Sequence, residues 1–305
     1  MKTRKVGSWY EITIPKEWST YTIDDLLRNV WKAPKKMIHQ FRMENKVKIN
    51  GLSVNWNQLL IPGQTLQLEL FSSQDNEVVP AFYDIPVLYE DDHLVIFNKP
   101  AGMDTHPNEP HQSNTLLNAA AFHLQANGEL LQPRHIHRLD RDTTGAVLFA
   151  KTAFAGSLLD RLLEERKIKR TYLAITDGIF SKNKGTINQP IGRDRHHAVR
   201  RRISPTGQTA ITHYEVLRRQ QKEQQTLVRC QLDTGRTHQI RVHLSSIGHP
   251  LAGDVLYNGS HSFPRQALHA VKMELVHPFT NEKIVCHAPF IDQPMIFKNI
   301  DPYSI

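Results

Sequence analysis

The stretch SSQDNEVVPAF at residues 72–82 is polar and acidic up to a proline, and it separates two longer runs that each carry a clear apolar pattern. A composition break of this kind reads as a linker, so the chain is expected to fold as two units. We place a small unit at residues 1–71, the linker at 72–84 and a large unit at 85–305. In the small unit, TIDDLLRNVW predicts a helix capped at or near Thr22, with Leu26, Leu27 and Val30 on one side, and residues 36–43 predict a second. VKINGLSVN predicts a strand and a turn at Asn50 and Gly51, and LIPGQTLQLEL a Pro-Gly turn leading into an alternating strand. A compact module of two helices and a short sheet follows. Its basic cluster, Lys32, Lys35, Lys36, Arg42, Lys46 and Lys48, suits either an RNA face or an ordinary solvated surface.

In the large unit, IPVLYEDDHLVIFNKPAGM places two apolar runs around Glu90, Asp91 and Asp92, which predicts a hairpin whose second strand is broken at Lys99 and Pro100. Residues 116–124 predict a helix. AVLFAK, residues 146–151, is a continuous apolar run suited to a buried strand, and GSLLDRLLEERKIKRTYLAIT predicts a helix followed by a strand that begins near Tyr172. Residues 191–202 hold five arginines and two histidines, too dense for a core element, and read as a loop that contacts phosphate. DTGRTHQIRVHLSSIGHPLAGD predicts a helix with Thr237 as cap, Ile240, Leu244 and Ile247 as an apolar stripe, and Gly248 and Pro250 as the stop.

Charge narrows the partner. With 38 Lys+Arg against 30 Asp+Glu the net charge is +8, which favours a polyanion such as nucleic acid. The two cysteines, Cys230 and Cys286, are far apart and form neither a disulfide framework nor a zinc spacing, consistent with a reducing, cytoplasmic setting. The amino-terminal residues lack an apolar stretch of signal-peptide length, and no segment nears the roughly 20 apolar residues of a membrane span, so a soluble protein is expected.

The densest constellation is HRLDRDTTG at residues 137–145. Asp140 stands between Arg138 and Arg141 in a loop that runs through a Thr-Thr-Gly turn into a core strand, and nearby positive charge favours its ionised form. Such an anion can act as a nucleophile or general base, or it can merely cap a turn or form an ion pair. Arg241 could reach it, or could lie on the surface. His135, His137 and His238, with no cysteine or additional carboxylate beside them, make poor metal ligands, and no phosphate-binding or dinucleotide-binding glycine pattern is present.

HRLDRDTTGAVLFAK, preceded by NKPAGM and followed by KRTYLA, TGQTAITHYEVL, TGRTHQIRVHLSSIGHPLAGD and LHAVKMELVHP, closely resembles the RluA-type family of RNA pseudouridine synthases over most of residues 85–289. The first unit, through VKINGLSVN and the LIPGQ turn, resembles the S-four-like RNA-binding module that many of these enzymes carry. The resemblance implies an α+β fold on a central, mainly antiparallel sheet, preceded by a small α+β module. It implies a cytoplasmic isomerase that acts as a monomer on ribosomal or transfer RNA, without metal, nucleotide or other cofactor and without a membrane. Asp140 would be the catalytic residue, Tyr172 would stack on the flipped base, Arg241 would pair with Asp140, and Arg138 would help displace the base. Lys35, Lys36, Arg193, Arg195, Arg200, Arg201 and Arg202 would contact RNA.

Three departures from the family pattern stand out: Thr144 for a common serine, Met273 for a leucine expected to line the pocket, and Lys35 and Lys36 where the module often has serine and arginine. A catalytically silent RNA-binding protein would not need Asp140, Tyr172 and Arg241 together, and a nucleic-acid hydrolase would need a second well-placed carboxylate or a metal cluster.

Overall fold

The computed structural model describes residues 2–73 and 78–305. Two strands missing from the sequence reading, β1 (Thr3–Val6) and β2 (Trp9–Thr13), open the first unit. They join β3 (Val47–Ile49), β4 (Leu52–Ser53) and β5 (Thr65–Glu69) in an antiparallel sheet of order β1-β2-β5-β3-β4. Thr22 caps the first helix reciprocally: its hydroxyl accepts from Asp25 N, and the Asp25 carboxylate accepts from Thr22 N, each at 3.1 Å. That helix, α1 (Ile23–Asp25), runs directly into a π-helical turn over Leu26–Val30. The wider turn breaks the expected stripe. Leu26 and Leu27 are buried, but Val30 is 36% exposed and Trp31 takes the inward place. The second helix, α2 (Lys35–Met43), follows.

The first unit has no closed core of its own. Tyr10, Trp31 and Phe41 pack in one cluster with Phe154, Met273 and Phe279 of the second unit. Ring centroids lie 5.3 Å apart for Tyr10 and Phe279, 5.7 Å for Trp31 and Phe154, and 5.4 Å for Phe41 and Phe154. His93, buried and flanked by Tyr10 and Phe279, has its pKa pushed down to about 3 by burial, so it packs as a neutral ring. The expected linker falls partly on residues 74–77, outside the described residues. Just after them the chain is bonded to the start of a helix, through Asn118 Nδ2 to Val79 O and Ala81 N to Asn118 O.

The second unit is built on β6 (Val87–Glu90), β7 (Leu94–Lys99), β8 (Arg134–His135), β9 (Thr144–Ala150), β10 (Lys169–Asp177), β11 (Lys184–Asn188), β12 (Ile191–Arg193), β13 (Arg201–Ile203), β14 (Ile211–Gln220), β15 (Gln225–Leu232), β16 (Leu268–Val276) and β17 (Lys283–His287). The main sheet runs β11-β14-β15-β10-β16-β9-β7-β6, with β17 beside β16 and β8 beside β9. All its pairings are antiparallel except β9 with β16, giving the mainly antiparallel α+β architecture expected. Every residue of β7 and β9 is buried, which is why both read as apolar runs. Helices α3 (Leu116–Ala126), α4 (Ala153–Glu164) and α5 (Gln239–Ser246) complete the unit.

Three local expectations are corrected. The turn after Asp140 closes one step earlier than Thr-Thr-Gly, with Thr143 N donating to Asp140 O at 3.0 Å, so Thr144 and Gly145 already belong to β9. Gly145 has φ +113° and lies against β16 so closely that a Cβ there would collide with the Ala270 carbonyl. Residues 191–202 are not a plain loop, because their two ends pair as the ribbon β12–β13. Finally, Met273 lies in the core shared by the two units, and Leu268 lines the pocket instead.

Candidate active site

The loop carrying Asp140 is held by groups from three other segments. Thr105 Oγ1 donates to Leu139 O and accepts from Leu139 N, both at 3.1 Å. Lys99, fully buried at the end of β7, donates its three Nζ protons to Pro100 O at 2.8 Å, Met103 O at 2.7 Å and Arg141 O at 2.9 Å. Burial pushes the Lys99 pKa down to about 7, against the pull of Asp140 and Asp142. From the far side Arg265, fork-bonded to Asp292 at 2.8 and 2.7 Å, donates to Asp142 O, Leu268 O and Thr144 Oγ1. Lys99→Met would leave three buried carbonyls without their donor. We expect it to lower the melting temperature and to cut the turnover number at least about tenfold by loosening the Asp140 loop. A melting curve and a single-turnover assay check this, and unchanged turnover would show that the loop holds its geometry without the lysine.

Arg241 reaches the same point from α5. The helix begins at His238, which has φ 58° and gives no side-chain cap; Gln239 Oε1 instead accepts from Arg236 N at 3.0 Å, so the expected Thr237 cap is absent. Ile240 and Leu244 are buried as predicted, but Ile247 is 38% exposed and stands outside the stripe. Arg241 is buried, with Nε and Nη2 forked onto Asp254 at 2.7 and 2.9 Å and Nη1 donating to Asp140 Oδ2 at 3.1 Å. Burial works against its charge, but the bonds to Asp254 and the two nearby carboxylates outweigh that and raise its pKa further. The arginines adjoining Asp140 in sequence do not pair with it: Arg138 Nη1 is 3.4 Å from His106 Nε2, and Arg141 Nε donates to Gly102 O.

Tyr172, on β10, is buried in the same pocket as Asp140, Arg138 and Arg241, and burial raises its phenol pKa, so it is neutral at physiological pH. His238 Nε2 is 4.0 Å from Asp140 Oδ2, and its Nδ1 is 2.8 Å from Tyr257 Oη. The Tyr257 oxygen also accepts from Arg201 N at 2.9 Å, so it ties His238 to the β12–β13 ribbon. Burial lowers the His238 pKa, with Asp140 opposing, and favours the neutral ring. The assembled pocket holds an accessible carboxylate backed by a fixed cation, with a buried phenol beside it. That arrangement suits nucleophilic or base chemistry on a ligand that inserts a planar ring.

The other residues singled out in the sequence are spread over the surface around the pocket. Arg201 lines an adjoining groove together with Arg138 and Asp140. Arg193, Arg195 and Arg202 are exposed on or beside the ribbon, while Arg200 is half-buried, 3.9 Å from Asp194 and over the Tyr257 ring. Lys35 and Lys36 are exposed on α2, away from the pocket lining. His135 packs on His106 and His137 Nε2 accepts from Leu148 N, so the three histidines are held for different purposes. Sequence reasoning did not select Asp254, Tyr257, Lys99, Arg265 or Arg170. Asp254 closes the LAGD tetrad, and the need of a buried arginine for a fixed anion was the signal that could have found it.

Comparisons with known proteins identify the family. The family profile described as RNA pseudouridylate synthase matches residues 93–246, and that of the RluD ribosomal pseudouridine synthase N-terminal domain matches residues 10–66. A Bacillus subtilis protein described as "Uncharacterized RNA pseudouridine synthase YhcT" is 48% identical over 295 residues, covering 96% of this chain and 97% of the relative. Ribosomal large subunit pseudouridine synthase D of Nitrosomonas europaea is 37% identical, covering 92% of this chain and 85% of the relative. Among solved structures, Human RNA Pseudouridylate Synthase Domain Containing 1 superposes with a TM-score of 0.56 at 25% identity, over 68% of this chain and 85% of that one. With both units matched and the identity running through nearly the full length of its relatives, the chain belongs to the RNA pseudouridylate synthase family.

Proposed function

We propose that this enzyme isomerises uridine to pseudouridine in ribosomal RNA, with Asp140 as its catalytic residue. The observation that carries the reading is the convergence of Asp140, Arg241 and Tyr172 in one pocket. The relatives named ribosomal large subunit pseudouridine synthase D support ribosomal RNA as the substrate. The glycosidic N1–C1′ bond breaks, the uracil turns, C5 bonds to C1′, and C5 gives up its proton while N1 takes one up, so the product is an isomer of the substrate. Asp140 starts this as an anion, either by attacking C1′ to form an ester that C5 later displaces, or by taking a sugar proton that it returns as C5 bonds to C1′. Arg241 orients that carboxylate, and Asp254 keeps Arg241 in place.

Tyr172 offers its ring face to the flipped base, and Arg138, at the pocket mouth, takes the place the base vacates. Flipping costs a few kcal/mol, which backbone contacts must offset. Arg193, Arg195, Arg200, Arg201 and Arg202, and Lys35 and Lys36 of residues 1–71, supply phosphate contacts of that kind. Residues 85–305 carry the chemistry in this scheme, which calls for neither metal nor organic cofactor. The test is tritium release from RNA labelled at uracil C5, with pseudouridine mapping of RNA from cells lacking the protein. Loss of one or a few ribosomal pseudouridines is expected. Loss confined to transfer RNA would reassign the substrate, and no loss with no tritium release would overturn the isomerase reading.

A further inference from the structure

Arg170 stands two residues before Tyr172 on β10, so strand alternation turns both side chains to the pocket face. It is 8% exposed, yet among the described residues it pairs with no carboxylate, and its solvent-shielded Nε has no hydrogen-bond partner. Other buried arginines of this protein are neutralised: Arg241 by Asp254 and Asp140, Arg265 by Asp292. A guanidinium removed from water without a counter-ion is costly, and a fold keeps such a group where an anion arrives from outside. The position of Arg170 says from where. It is shared by the pocket of Asp140 and Tyr172 and by a neighbouring groove whose walls include Arg134, Arg138, Arg166 and Arg236. Two of the acids in that groove are engaged, Asp160 with Arg134 and Asp233 with Arg166. Gly235 keeps the space open, since a Cβ there would stand 3.2 Å from Arg170 Nη1.

We propose that Arg170 seats a backbone phosphate of the RNA directly flanking the target uridine, and that the arginine-walled groove carries the strand leaving the pocket. Uracil and ribose are neutral, so the phosphodiester is the only part of the substrate that can meet this charge. Its two non-bridging oxygens match the planar guanidinium fork. The inference rests on the isomerase reading, because it requires a uridine in the pocket.

The test uses the full-length protein and a stem-loop that the wild type turns over, in which the phosphate 5′ or 3′ to the target uridine is replaced, one at a time, by an uncharged methylphosphonate. One of the two replacements should weaken wild-type binding about 10- to 100-fold, the range for hydrogen bonds to a charged group. Arg170→Gln should lose a similar factor on unmodified RNA and nothing further on the neutral linkage, and Arg170→Lys should fall between. Because the substitution removes an uncompensated charge, the melting temperature of Arg170→Gln should stay level or rise. A methylphosphonate penalty undiminished in Arg170→Gln, or a fall in melting temperature with RNA affinity unchanged, would overturn the proposal and make Arg170 structural. Wild-type protein that turns over no RNA sinks the isomerase reading instead, and that result is obtained before any variant is made.

Discussion

Asp140→Asn is expected to lower turnover at least about 1000-fold, the scale seen when an acting base or nucleophile is removed, while the protein stays folded and still binds RNA. Both halves of that expectation come from the way Arg241 is held. Its Nε and Nη2 remain forked onto buried Asp254 when Asp140 loses its charge, so no cation is orphaned in the core. Asparagine keeps the shape of the side chain and can still accept from Arg241 Nη1. Tritium release under single-turnover conditions reports the chemistry, and melting and RNA-binding curves report the rest. Turnover within about tenfold of wild type would remove Asp140 from the chemistry.

Deleting residues 1–71 is expected to leave a protein that aggregates or melts far below the full chain. In the sequence, residues 72–84 read as a linker between two units. The packing contradicts separate foldability. Phe154 and Phe279 of the second unit pack on Tyr10, Trp31 and Phe41 of the first, and Lys5 bridges to Glu129 at 2.7 Å. Uncovering that aromatic and aliphatic surface forfeits on the order of 5 kcal/mol or more. In a chain of this size such a loss lowers the melting midpoint by roughly 10–20 °C. A truncated protein with an unaltered melting curve would show that the joint contributes little to the fold. A milder probe, Trp31→Ala in the full chain, should give a smaller shift of the same sign.

What the sequence disclosed follows the reach of each interaction. β7 and β9 were legible because burial on both faces writes itself as an unbroken apolar run, and Thr22 was legible because a capping box spans three residues. β1 was not: its Arg4 and Lys5 follow a partly exposed edge strand, and nothing local distinguishes that from a basic tail. The π turn hid Trp31, because its register departs from the helical period on which the expected stripe depended. At the site, Asp140, Tyr172 and Arg241 were named in sequence order by family resemblance, but their partners lie far off in the chain. Asp140 meets Arg241 across 101 residues, while the neighbouring Arg138 and Arg141 turn away from it. Charge adjacency in sequence therefore says that positive charge lies near Asp140, and only the fold says which arginine bonds it.

The core common to both units also bears on how a target uridine is chosen. Two surfaces joined by a floppy tether could each find its own stretch of RNA, whatever the span between them. Here the unit that carries the lysines of α2 and the unit that carries Asp140 are joined through packed aromatic rings of a shared core. If RNA docks on those lysines, as proposed above, the packed core sets their distance from Asp140, and the spacing between an RNA's docking element and its reactive nucleoside then discriminates where base identity need not.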